Sequence, residues 1–330
     1  MNTIPLIFNE RQVRRTVLGG AEDAAAANLT GDASQIRLPL SVILLNSSSG
    51  SHYRGRILET LVRLGFASIV SIENSADNYN IEDLAQRFPS VKFIVPLEPV
   101  TVGDMINIGM GELDGGYVLV IRDTVRLSSS LITPHLARRL VSSDVLCVAP
   151  RLMTPRLQPL PVKFSPSVEN GVFKPLSSAS ITEKSRTLYP FDFMGLYHHE
   201  KFVRLGGYDY TIRSPYWQNL DFSVRAWLWG EQLLVSPVFQ IAYDDEIPVE
   251  DATPDQYQLR FFLKNLAPRL KTDYGYIPIS KFFGYQRRSS FGFADSYRQF
   301  TDARRWVSHN KYRFQMDMNT LIRTWETVQL

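Results

Sequence analysis

The chain has 330 residues, 44% of them apolar and 21% charged, with a net charge of +3. Such a composition describes a globular protein long enough to bury a sizeable core, and it excludes a disordered or collagen-like chain. No run reaches the roughly 18 uncharged apolar residues of a membrane-spanning helix, and the single cysteine, Cys147, excludes an intrachain disulfide.

The charge is uneven. Gln256 to Leu330 carry 13 Lys/Arg against 5 Asp/Glu and 16 of the 39 aromatic residues, which leaves −5 for the rest and sets the tail apart as a basic, aromatic zone. The start, MNTIPLIFNERQVRR, has no basic segment followed by a long apolar one, so the expectation is a cytoplasmic protein without a secretory leader.

Residues 1–36 are weakly patterned and read as a variable arm, with a short helix expected at Ala21 to Asn28. Ser41 to Leu45 reads as a buried strand that delivers the small polar run Asn46 to Ser51, either a ligand-facing turn or a plain solvated loop. A helix follows from Arg54 to Phe66, ended by Gly65. A second strand, Ala67 to Ile72, delivers Glu73 to Asn78. Helix Ile81 to Phe88, strand Val91 to Val95, helix Thr101 to Gly111 and strand Tyr117 to Ile121 come next. This alternation predicts right-handed βαβ crossovers and a mostly parallel sheet. The last of these strands delivers Arg122, Asp123 and Thr124 together, and in an open α/β sheet ligands bind beyond the carboxyl ends of strands.

Beyond this point the spacing predicts a helix over Leu131 to Leu140 and a strand over Asp144 to Pro150, where Cys147 reads as a buried inert thiol more readily than as a nucleophile. Arg151 to Ser185 is a long Pro- and Ser-rich connection. The apolar run Phe191 to Tyr197 precedes His198 and His199, adjacent residues that do not share a metal on an extended segment, where neighbours face opposite ways. Gly206-Gly207-Tyr208-Asp209 marks a turn, and Gln218 to Trp229 reads as an amphipathic helix closed by Gly230. Leu233 to Tyr243 reads as a strand, and the tail as mainly helical, from about 254 to 266 and from 293 to 327. The expected division is an arm at 1–36, an α/β domain at 37–250 and a basic helical region at 251–330.

Three polar clusters thus sit at predicted strand ends: Asn46 to Ser51, Glu73 to Asn78, and Arg122 to Thr124. Together they could line a nucleotide crevice. The first carries only Gly50, so a Gly-rich dinucleotide fingerprint is missing.

The order of these elements, with Asn107-x-Gly109 before the central strand, Gly206-Gly207-Tyr208-Asp209, and Leu220-Asp221-Phe222-Ser223-Val224-Arg225, resembles the family 2 glycosyltransferases over about residues 40–245. The resemblance implies a GT-A fold, a nucleotide-sugar donor, and transfer of its sugar to a glycan or protein hydroxyl. It implies donor-binding roles for Asn46, Glu73, Asn107, Arg122 and Asp123. In that family the turn after the central strand carries Asp-x-Asp and holds a divalent metal on the diphosphate. Here that turn is Arg122-Asp123-Thr124, so Asp123 is the one candidate metal ligand left and the metal is in doubt. The family's acidic pair before the following helix is replaced by Gln218-Asn219, amides unable to act as a base. Asp221 is then the candidate for a displaced base. Tyr243 stands near the family's late metal-binding histidine, followed by Asp244, Asp245 and Glu246, which read as a solvated turn or an alternative metal site.

Arg122 has two readings: a guanidinium that neutralises a diphosphate without a metal, or one paired with Asp123 or another neighbour. The tail also has two. Tyr274, Tyr276, Phe282, Phe283 and Tyr285, with the pairs Arg287-Arg288 and Arg304-Arg305, either fill a helical subdomain or grip a carbohydrate acceptor, a pathway partner or a membrane surface. No nucleic-acid motif is present. Two functions follow: a divergent transferase, or a catalytically degenerate relative that binds and organises partners in glycan assembly.

Overall fold

A computed structural model of the protein describes residue 8 and residues 11–20, 38–47, 51–74, 81–127, 132–169, 171–183 and 185–325. The helix expected at Ala21 to Asn28, residues 48–50 of the first polar loop and 75–78 of the second lie outside the described residues.

The core is one twisted sheet. In chain order its first strands and helices are β1 (Arg15–Gly19), β2 (Leu38–Leu45), α1 (Ser51–Leu64), β3 (Phe66–Ile72), α2 (Ile81–Arg87), β4 (Val91–Pro96), α3 (Val102–Gly111), β5 (Tyr117–Arg122) and the short β6 (Val125–Arg126). β4, β3, β2 and β5 lie side by side and parallel. Their apolar runs are buried on both faces, as parallel strands covered by crossover helices must be. After α4 (Pro134–Val141) comes β7 (Cys147–Met153). The Pro- and Ser-rich connection then folds into short strands: β8 (Lys163–Ser165) with β11 (Leu176–Ser178), and β9 (Val168–Glu169) with β10 (Val172–Phe173). β12 (Ser185–Arg186), β13 (Gly195–His198), α5 (His199–Arg204), α6 (Pro215–Leu228) and β14 (Leu233–Tyr243) complete the domain. β13 enters antiparallel between β5 and β7, and β14 pairs parallel with β7.

The N-terminal arm contributes to the sheet: β1 pairs antiparallel with β4 at its edge. Its half-exposed five residues carry too little periodicity to announce a strand. Arg11 pairs with Asp104 at 2.7 Å, which ties the arm to the first turn of α3.

α3 explains the Asn-x-Gly spacing. A capping box between Thr101 and Asp104 starts the helix. A Cβ on Gly109 would lie 2.8 Å from Ile43 Cδ1 and 2.9 Å from Ile72 Cδ1, so the bare glycine is what lets α3 rest on β2 and β3.

α6 departs from the expected amphipathic helix. Every residue from Trp217 to Leu228 is buried, Gln218, Asn219, Asp221, Ser223 and Arg225 included. The cover comes from the tail, which holds α7 (Gln256–Phe261) running into a π-turn at Phe262–Leu266, the hairpin β15 (Arg269–Lys271) and β16 (Tyr274–Tyr276), α8 (Lys281–Arg288), α9 (Phe293–His309) and α10 (Met318–Thr324). Trp217 packs on Phe261 at 5.6 Å, Trp227 on Trp325 at 4.8 Å, and Trp229 stacks on Trp306 at 5.8 Å. Among the described residues no helix is long and apolar enough to cross a membrane.

Candidate functional site

β2, β3 and β5 end level, with Leu45 opposite both Ile72 and Arg122. Asn46, Glu73 and Asp123 therefore emerge side by side, as the strand-end clusters require. Each is already engaged. Asn46 Nδ2 donates to Ser71 Oγ at 2.9 Å, Ile72 O at 3.0 Å and Glu73 Oε1 at 3.2 Å. Glu73 is fully buried and paired with Arg54 of α1. Burial lowers the Arg54 guanidinium pKa, against the opposing charge of Asp123. Asp123 accepts from Ser47 N at 3.0 Å and from Ser47 Oγ at 3.1 Å and 3.2 Å. Burial raises its pKa, while the Ser47 bonds and the charges of Arg122 and Arg54 pull the other way.

Arg122 resolves toward pairing, and its partner is a residue the sequence did not single out. Its Nε and Nη2 both donate to Asp192 Oδ1, at 3.0 Å and 2.7 Å. Tyr243 OH donates to the other Asp192 oxygen at 3.3 Å. Asp192 and Phe193 hold φ of 51° and 63°, the left-handed region that non-glycine residues seldom adopt and that often marks a working site. Nearby, Glu250 Oε2 accepts from Tyr189 OH at 2.7 Å. Burial pushes the Glu250 carboxyl up to about 7; the Tyr189 bond opposes this and the charge of Asp192 adds to it. The signal for Asp192 was faint, a single acid inside the apolar run Phe191 to Tyr197; Glu250 had none beyond its place among other acids.

These residues do not fit a divalent cation. Asp123 offers one carboxylate, both of whose oxygens accept from Ser47, and the guanidinium of Arg122 immediately precedes it in the chain. Asp244 pairs with Arg126 at 2.9 Å while Asp245 and Glu246 are exposed. Among the described residues no three His, Cys, Asp or Glu converge.

On the α6 side the polar side chains are hydrogen-bonded within the protein. Gln218 accepts from Gly103 N at 3.0 Å and donates to Thr101 Oγ1 at 2.9 Å and Asp209 O at 3.1 Å. Asn219 Nδ2 donates to Pro190 O at 2.7 Å, which steadies the segment leading into Asp192. Asn107, expected at the donor, clamps the turn after α5: its Nδ2 donates to Tyr208 O at 2.8 Å and its Oδ1 accepts from Tyr208 N at 2.9 Å. Asp221, the candidate displaced base, is fully buried, 2.8 Å from Lys264 Nζ and accepting from Asn265 Nδ2 at 2.8 Å. Lys264 Nζ also lies 2.8 Å from Asp209. Burial alone would raise Asp209, yet the charges of Lys264 and Arg260, with bonds from Lys264 and Thr211, bring it down to about 2.

The two histidines have separate partners: His199 Nε2 is 2.8 Å from Met110 O, and His198 packs on the Tyr117 ring at 4.8 Å. Cys147 is buried, and burial pushes its thiol far up, out of the reactive range.

No protein-family model matches the sequence, and no curated protein does. Solved structures do match. A crystal structure of GalNAc-T7 with UDP, GalNAc and Mn2+ superposes with a TM-score of 0.59 over 90% of this chain, at 14% identity. The chain spans 58% of that one's length, less than two thirds. The mannosyltransferase PcManGT from Pyrobaculum calidifontis, in complex with GDP-Man and Mn2+, gives a TM-score of 0.45 at 12% identity over 87% of this chain and 80% of its own. With its parallel strands, inserted antiparallel β13 and this likeness, the chain has the GT-A fold of glycosyltransferases.

Proposed function

We propose that this protein is a glycosyltransferase-like protein whose inherited transfer machinery has become structural, and that it binds a sugar nucleotide or glycan as a non-catalytic member of a glycan-assembly system. The observation that carries this reading is the enclosure of Asp221 between Lys264 and Asn265, with Gln218 and Asn219 consumed in buried hydrogen bonds. The likeness to a structure holding UDP and GalNAc supports the ligand class. Asn46, Glu73, Arg122 and Asp123 remain the proposed donor edge, acting through the backbone and framework they hold. The basic tail, with Phe283, Phe293 and Tyr297 exposed around Phe282, supports docking to a pathway partner or a membrane surface. Calorimetric titration with UDP- and GDP-sugars, with and without manganese, tests the reading. Binding indifferent to manganese, without release of the nucleoside diphosphate, is expected. Binding that requires manganese, or steady diphosphate release, overturns it.

A second reading has one observation behind it. Glu250, protonatable near neutrality and electrostatically linked to Asp192 beside Arg122, has the properties of a relocated general acid or base. On that reading a metal-independent transferase has been rebuilt at the Arg122 turn, and Glu250→Gln abolishes a measurable turnover.

A further inference from the structure

A cavity lies among residues other than Asn46, Glu73, Arg122 and Asp123. It is walled by the Gly206-Gly207 turn, the end of α6 and α9, and encloses about 280 Å³. That is close to the lower limit of roughly 300 Å³ for small-molecule sites. Its lining includes Arg204, Arg225 and Arg313 together with Trp229 and Trp306.

The charges of this cavity are one-sided. Among the described residues no carboxylate pairs with Arg204 or Arg313. The acid in the lining, Asp209, is taken by Lys264 at 2.8 Å. Arg225 is 5% exposed; its Nη2 donates to Gly207 O at 2.5 Å, and Asp221 lies 3.8 Å away, already held by Lys264 and Asn265. Two groups from this lining have no hydrogen-bond partner: Arg225 Nε and Trp229 Nε1. Both are donors. A buried donor left without an acceptor forfeits its solvation with no return, so such pairs are rare unless something answers them. The guanidinia are also held in place. Arg313 lies 5.0 Å and Arg225 5.8 Å from the Trp229 ring, and Arg313 Nη1 donates to Arg204 O at 2.7 Å. Guanidinia fixed on an aromatic face, surrounded by unanswered donors, suit a ligand group that only accepts hydrogen bonds and carries negative charge.

We propose that this cavity binds a small molecule through a phosphate or carboxylate group held by Arg204, Arg225 and Arg313. Trp229 and Trp306 form its wall, so tryptophan fluorescence reports occupancy. The full chain is titrated with inorganic phosphate, glucose 1-phosphate and glucuronate, with glucose as the neutral control, by fluorescence and calorimetry. Saturable binding of at least one anion is expected, with none of glucose. Phosphate compounds alone, or glucuronate alone, identifies which group the site takes. Arg204→Ala and Arg313→Ala, both at exposed positions, are each expected to weaken binding at least tenfold with no shift in the urea midpoint. Trp229→Phe, which removes one unanswered donor and keeps an aromatic face, is expected to weaken it several-fold. No anion binding, equal binding of glucose, or affinity unchanged in both arginine variants overturns the proposal. A sugar nucleotide held at the strand-end crevice does not respond to Arg204 or Arg313, so this result and the test of the proposed function fail or succeed separately.

Discussion

Lys264 holds two buried carboxylates at once. Its ammonium is fully buried, lies 2.8 Å from Asp209 and from Asp221, and stands 4.9 Å from the Trp306 ring. Breaking a buried pair by removing one partner costs about 3–5 kcal/mol, because the remaining charge is left uncompensated. Lys264→Met is therefore expected to lower the unfolding free energy by that order in urea titrations, and Asp221→Asn combined with it to recover part of the loss. Asp209, held at about 2, adds a pH dependence. Its carboxyl is depressed below the unfolded value near 3.9, so its contribution is full above that value and is lost as pH falls toward 2. Glu250 has the opposite sign. Raised to about 7, it binds a proton in the folded state that the unfolded chain releases near 4.3. Stability from this group falls as pH rises through 4.3 to 7 and stays low above. Glu250→Gln is expected to flatten that limb and to stabilise the protein by about 3–4 kcal/mol at pH 8, read from urea midpoints across pH. A variant with the same limb as the parent would remove Glu250 as its source.

α3, the Gly206-Gly207-Tyr208-Asp209 turn and α6 behave as one unit because side chains of each satisfy backbone groups of another. Asn107 clamps both polar groups of Tyr208, and a Cβ on Gly207, where φ is +69°, would overlap Asn107 Oδ1. Gln218 joins all three elements, and its donors are what Thr101 and Asp209 O require. A carboxylate has none. Gln218→Glu, which restores the acid found in the resembling family, is expected to cost about 2–4 kcal/mol in thermal or urea unfolding and to confer no transfer activity. Gained activity would show that the crevice kept its chemistry. This joint is also where the sequence was most and least legible. The Asn-x-Gly and Gly-Gly-Tyr-Asp spacings identified the fold, because they serve helix packing and a turn, constraints that are local in the chain. The strands were readable for the same reason, as short apolar runs between polar turns. Side-chain roles were not. Asn107 acts on Tyr208, and Arg122 on Asp192, 70 residues away; Asp221 meets Lys264, 43 residues on. Such partners are set by tertiary contacts that no spacing encodes, so residues read as donor-binding or catalytic could equally be framework.

The tail is part of the core of the molecule as much as an addition to it. α6 carries buried polar groups on its α7-facing side and tryptophans that look for aromatic cover, and both needs are met from beyond residue 254: Lys264 and Asn265 for Asp221, Phe261, Trp306 and Trp325 for the indoles. Trp217 Nε1 also donates to Thr253 O at the entry to this region. Basic residues are enriched there for a structural reason in one case, Lys264, and remain on the surface in others, such as Arg287 and Arg304. Removing the region would expose several large aromatic side chains, each worth about 1.5–3 kcal/mol of burial, and would leave two enclosed carboxylates without their ammonium. Those losses together are comparable with the roughly 5–15 kcal/mol that holds a typical domain folded. A chain ending at residue 253 is therefore expected to aggregate or to lack a cooperative thermal transition, where the full chain is expected to be monodisperse and to unfold cooperatively. Size-exclusion chromatography with circular dichroism distinguishes the outcomes. A truncated chain that elutes as a single folded species would mean that the α/β domain stabilises α6 unaided, and that the basic region is free to act as a separate docking module.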